Sequence, residues 1–238
     1  MDTEKLVELA ALILLVGIFM FWEKRSPARN VNHRVSKFDL LVVLNLSLFS
    51  LLCKTLIPYD AYWTSLAPFA KINSVLRYGG AVLSIDFILY WVHRFMHHRL
   101  LWKSHRFHHT PRELNWLTGL YTSGTHIAMY VIPQLLICFY IFGFTRVEML
   151  IVVVLSYFVQ FWQHANIDID GGFLKYIFVT PSSHRVHHAS GAKTFNTNFG
   201  AVFSFWDVLF GTYHHPTKDK YPLGVARRSS LFRNLVGY

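Results

Sequence analysis

Five apolar runs dominate this chain, each near the roughly 20 helical residues needed to cross a bilayer core of about 30 Å. They are Leu6 to Trp22, Phe38 to Ile57, Ile72 to Val92, Ile127 to Phe144 and Val147 to Trp162. A backbone in hydrocarbon must satisfy its own hydrogen bonds, so runs of this length fold as helices. The third is interrupted by Arg77 and Asp86, which leaves four to five transmembrane helices as the expectation. Only Thr145 and Arg146 separate the last two runs, which predicts a tight helical hairpin. The first run is flanked by Asp2, Glu4 and Lys5, without a basic leader or a small-residue cleavage site, and reads as a retained span. Only 15% of the 238 residues are charged, against about 25% in soluble domains. The fold class is therefore an all-α integral membrane protein, with residues 1–238 taken as one membrane domain.

Loop charge sets the expected orientation. The segment from Glu23 to Lys37 holds Lys24, Arg25, Arg29, Arg34 and Lys37 against one acid, which places it in the cytosol by the positive-inside rule. Alternating five spans then puts residues 93–126 and everything after Gln163 on the same side. The net charge of +10 is read as contact with an anionic membrane surface, not with nucleic acid. Cys53 and Cys138 both lie in apolar runs and are expected to be packed thiols.

The 14 histidines are concentrated on that cytosolic side. The first cluster is His93-Arg-Phe-Met-His97-His98, continuing from the third span. Residues four apart on a helix differ by about 40° in direction, so His93 and His97 can face one metal while His98 points elsewhere. His105-Arg-Phe-His108-His109 and His184-Arg-Val-His187-His188 repeat the spacing H-x-x-H-H. Positions i, i+3 and i+4 share a helical face, so each box is expected to offer three imidazoles in one direction. His164 ends the fifth span, and His126, alone at the start of the fourth, is a weaker candidate. Imidazole suits iron, zinc, copper or nickel, and this count exceeds the four ligands of one closed zinc site. Two metals in a cytosolic, histidine-rich helical cap are the expectation.

The set HRFMHH, HRFHH, His164 and HRVHH resembles the fatty acid hydroxylase and sterol desaturase superfamily. The likeness extends to Asn115, Thr118, QHAN at 163–166, TPSSHRVHH at 180–188 and NFGAVFSFWDVLFGT at 198–212. It covers about residues 80–215, and TPSSHRVHH is most similar to the alkylglycerol monooxygenase-like bacterial members. The resemblance implies a di-iron centre ligated by His93, His97, His105, His108, His109, His164, His184, His187 and His188. It leaves His98 as a rival to His97. Some relatives have a second histidine at the position of Asp168, which makes that carboxylate a candidate ligand or acceptor. The implied reaction is hydroxylation or desaturation of a lipid (fatty acyl, sterol or ether lipid) with dioxygen, in a bacterial inner membrane or an ER-type membrane. Zinc is expected to substitute for iron in a purified form.

A ligating imidazole should donate its other N–H to an acceptor that fixes the tautomer. Asp86, Asn166, Asp168 and Asp207 are the candidates. No dinucleotide fingerprint is present, since Gly79-Gly80 and Gly171-Gly172 lack the required spacing, so electrons are expected from an external reductase, cytochrome or ferredoxin. Two rival readings use the same histidines. A membrane zinc hydrolase would carry an acid beside a histidine box, and none is present. A metal transporter would place polar ligands at mid-membrane, where only Arg77 and Asp86 lie.

Overall fold

The computed structural model describes residues 3–30, 35–191, 194–216, 221–226 and 230–238. Arg34, used above for orientation, lies outside them. Five helices are long and apolar enough to span a membrane: α1 (Thr3–Arg25), α2 (Lys37–Leu56), α4 (Ser74–Met96), α6 (Gly124–Leu136, extended by a π-helical turn over Ile137–Ile141) and α7 (Arg146–His164). Short helices connect or follow them: α3 (Ala61–Ser65), α5 (Trp102–His105), α8 (Pro181–His187), α9 (Phe205–Leu209) and α10 (Leu231–Val236). Two 3-10 turns cover Trp116–Leu120 and Gly172–Tyr176. Among the described residues there are only isolated β-bridges and no strand. The chain is an all-α integral membrane protein.

The ends of the spans are set by side-chain caps. Ser36 with Asp39 and Thr145 with Glu148 form capping boxes at the starts of α2 and α7. Large apolar side chains such as Phe21 and Val75 are 71% and 79% exposed, as expected where hydrocarbon replaces water as solvent. Arg77, which interrupts the third run, forms an ion pair with Glu148 and reaches the Gly143 carbonyl, so its charge is answered at the end of the span.

The turn between α6 and α7 is tight, with Gly143 in the left-handed region at φ 63°. The two helices leave the turn as the expected hairpin, with Met149 in one core cluster with Leu135 and Cys138 and the Ser156 hydroxyl donating to Gln134 at 3.5 Å, but their backbones stay apart. α6 lies mainly against α2 and α4, and α7 against α1. The space left between α4, α6 and α7 is a cavity of about 380 Å³.

All five spans alternate in direction. At one end, Glu23 of α1 accepts from the backbone N–H groups of Trp116 (2.7 Å) and Asn166 (2.8 Å). Asp39 of α2 accepts from the Tyr121 hydroxyl at 2.5 Å, and Asn45 donates to the Thr122 carbonyl at 3.0 Å. These contacts gather the segment 115–123, the end of α7 and the start of α2 into one cap, over the ends of α4 and α7 that carry His93 and His164.

Candidate metal centre

The histidines converge into two groups in which each ring offers one nitrogen within 4.8 Å of those of the others. His93, His97, His105, His109 and His187 make the first, and His108, His164, His184 and His188 the second. The groups touch: the His109 and His188 rings stack with centroids 4.3 Å apart.

Each H-x-x-H-H box is divided between the two groups, contrary to the expectation of three imidazoles in one direction. His105 and His109 enter the first group and His108 the second, whereas His184 and His188 enter the second and His187 the first. For the box on α8 the reason is helical geometry: i and i+4 differ by about 40°, but i+3 lies about 100° from i+4 around the axis. On a single turn such as α8, that angle separates two neighbouring sites. The doublet joins them, one histidine to each.

The second group shows why these nitrogens call for a cation. Nδ1 of His164 donates to the Gln160 carbonyl at 2.8 Å, and Nδ1 of His108 to the Tyr121 carbonyl at 3.3 Å. A neutral imidazole has one N–H, so both Nε2 atoms are bare lone pairs, and they lie 3.1 Å apart. Nε2 atoms of His164, His184 and His188 form a triangle with sides of 3.1 to 3.2 Å. In the first group, His93 and His187 give their Nδ1 protons to the Phe199 carbonyl (2.9 Å) and the Thr197 carbonyl (2.8 Å). The Nε2 of His187 is buried and unpartnered, and Nε2 of His105 lies 3.0 Å from those of both His93 and His109. Protonation does not relieve the crowding: burial, reinforced by neighbouring imidazoles, holds His105, His108, His184, His187 and His188 well below the ordinary histidine value. A metal–nitrogen bond of about 2.1 Å with ligands at right angles spaces nitrogens about 3.0 Å apart, so the donor set fits metal ions in both groups.

Both ring nitrogens of His97 are buried in the first group, while His98 is exposed and accepts from the Leu100 N–H. Asp168 is exposed, lies outside both groups and is reached by the Ser182 hydroxyl at 3.5 Å. His126 is buried beside His105, Nδ1 to Nδ1 at 3.4 Å, but is in neither group.

The carboxylates expected to orient imidazoles do a different job. Asp86 accepts from the Val202 N–H (2.7 Å), the Phe203 N–H (3.1 Å) and the Trp206 indole (3.0 Å). Asp207 accepts from the N–H groups of Phe199 (2.7 Å) and Gly200 (2.8 Å) and from Thr212. Burial raises its pKa, and those three donors oppose the rise. Together they fix the loop whose Phe199 carbonyl holds His93. Asn166 exchanges hydrogen bonds with the backbone of Arg29 and, among the described residues, makes none to an imidazole. Backbone carbonyls orient His93, His108, His164 and His187, and a carbonyl has no sequence signature. Sequence reading also missed Gly119. A Cβ there would meet the Gln160 carbonyl at 2.7 Å and Nδ1 of His164 at 2.9 Å, so the close approach needs glycine.

The chain is 30% identical over 181 residues to alkylglycerol monooxygenase of Danio rerio, a match covering 74% of this chain and 36% of the relative. It is 34% identical over 136 residues to an ornithine lipid hydroxylase of Rhizobium tropici (56% and 40%). It is 26% identical over 206 residues to a very-long-chain aldehyde decarbonylase of Oryza sativa subsp. japonica (79% and 30%). The matched part thus spans between 30% and 40% of the length of these relatives. No solved structure matches the chain. The fatty acid hydroxylase family model matches residues 79–212, the span that contains every histidine of both groups, and the chain belongs to that family.

Proposed function

We propose that this protein is a membrane di-iron oxygenase that hydroxylates or desaturates a lipid with dioxygen, using electrons from a separate donor protein. The observation that carries the reading is the pair of bare Nε2 lone pairs of His108 and His164, 3.1 Å apart in a site of nine converging imidazoles. Five histidines are more than a closed tetrahedral zinc site takes, and nitrogen ligation that leaves positions open suits iron. Two irons bound there supply the activation of dioxygen and the cleavage of the C–H bond. The chain binds the lipid, orients it and keeps water out.

The cavity between α4, α6 and α7 supports a chain-like substrate. It runs from Tyr78 to His93, about 22 Å at the helical rise, and ends on His93 of the first group and on His108 and His184 of the second. Its walls are mostly apolar, including Ile85, Leu89, Val152 and Leu155. A lipid chain reaching in from the bilayer would present a carbon to both metal positions without crossing water. A cytosolic face for the centre is supported by Lys24, Arg25, Arg29 and Lys37, which flank the ends of α1 and α2 nearest the histidines.

The test is lipid mass spectrometry of cells with and without the gene, looking for gain of one oxygen or loss of two hydrogens. His187→Ala should abolish that change while the protein still inserts. Full activity in that variant would refute the ligand assignment.

A further inference from the structure

His126 is buried against the centre without joining either group, and its orientation follows from its neighbour. Nε2 of His105 points into the first group. An imidazole that gives its Nε2 lone pair to a metal keeps its proton on Nδ1, so His105 donates to Nδ1 of His126, 3.4 Å away. The proton of His126 is then on Nε2, and no described residue accepts it. One helical turn further along α6, the Tyr130 ring lies with its centroid 4.7 Å from that of His126 and 6.5 Å from that of His93. Its hydroxyl also has no hydrogen-bond partner among the described residues. Two donors are thus left open beside the metal positions.

They occupy a specific place. A second cavity of about 130 Å³ lies between α1, α2, α6 and α7. His126, Tyr130, Gln134, Ser156 and Gln160 line both this cavity and the larger one. Both residues therefore stand in the wall where an apolar chamber meets a smaller chamber that also holds Ser50 and Lys54. An open donor in such a wall favours a ligand that brings an acceptor and penalises one that does not.

We propose that His126 and Tyr130 are specificity-determining residues, whose N–H and O–H hold an oxygen atom of the substrate where the two cavities meet. The substrate class is then an amphiphile whose ether, hydroxyl or carbonyl oxygen lies close to the carbon that reacts, with its alkyl chain in the larger cavity. A purely hydrocarbon segment, such as the middle of an acyl chain, lacks that acceptor. This inference rests on the metal-centre reading, because the tautomer of His126 is set through a metal-bound His105.

The test is a binding measurement that needs no turnover. Metal-loaded protein in lipid nanodiscs is equilibrated with equal amounts of methyl hexadecyl ether and octadecane, which match in length and differ by one oxygen, and the retained probes are counted by native mass spectrometry. The wild type should retain the ether over the alkane by about five- to tenfold, the worth of a net hydrogen bond. Tyr130→Phe should lower the preference to about two- to threefold, and Tyr130→Phe with His126→Leu should remove it, each variant being compared with the wild type at equal metal loading. Equal retention of the two probes by metal-loaded wild type would overturn the inference and leave the metal-centre reading intact. An ether preference that persists undiminished in the metal-loaded double variant would overturn it too. Wild-type protein that takes up no metal would instead remove the reading beneath it.

Discussion

Asp86→Ala tests how the fold holds its clustered histidines from a distance. Three donors converge on this carboxylate: the N–H groups of Val202 and Phe203 and the Trp206 indole. Leaving a buried donor unsatisfied costs about 1–3 kcal/mol. These three residues are only partly buried, so the lower end applies to each and the total is about 3 kcal/mol. For a chain of this length that corresponds to a fall in Tm of about 6–12 °C. Asp86→Asn keeps one acceptor oxygen and should lose about half as much. The loop that is released carries the Phe199 carbonyl, which orients His93. Loss of such an outer partner weakens metal affinity by about 10- to 100-fold. The assay is thermal unfolding in detergent alongside titration of the first metal out with a chelator. A variant that melts within 2 °C of the wild type, with unchanged chelator resistance, would refute the clamp.

Other expectations are simpler to read. His164→Ala, with its ring at the centre of the second group, should lower the metal content by about one ion per chain, as measured by elemental analysis. His98→Ala and Asp168→Ala, outside both groups, should leave that content unchanged; loss of metal in either would reopen the ligand set. Gly119→Ala pushes a methyl group against His164 and the Gln160 carbonyl, and overpacking of this kind costs about 1–3 kcal/mol, visible as a lower Tm with weaker retention of one metal. Histidines 97, 105, 108, 109, 184, 187 and 188 have folded-state values held well below the ordinary 6.5. Their contribution to stability is full above that value and lost as pH falls below it, because the unfolded chain takes up protons first. Metal retention and Tm should both fall below about pH 6.5. A profile flat from pH 7 to 5 would contradict the neutral, ligating state.

The spans and the nine histidines that converge were legible because their signals are local and written in side chains. Apolar length is a property of each run, so the limits of all five spans agree with the structure to within a few residues. Spacing showed that the boxes belonged together, but it treated each box as a unit. It could not reveal that His108 and His187 cross to the opposite group, since that depends on how the turns after α5 face α8. The partners of the imidazoles were out of reach for a different reason. Gln160, Tyr121, Thr197 and Phe199 act through backbone carbonyls, which every residue has. Asp86 and Asp207 did stand out as costly buried acids, yet the donors that satisfy them come from a loop more than a hundred residues beyond Asp86. Tyr130 left one faint trace, a spacing of four residues from His126 on the same helix.

The central claim is that two adjacent histidine groups each hold one ion. Anomalous diffraction at the iron edge, from crystals of protein produced with supplemental iron, locates such ions directly. Two peaks are predicted, one enclosed by His93, His97, His105, His109 and His187 and the other by His108, His164, His184 and His188. A single peak shared by both groups, or none in iron-replete protein, would contradict it.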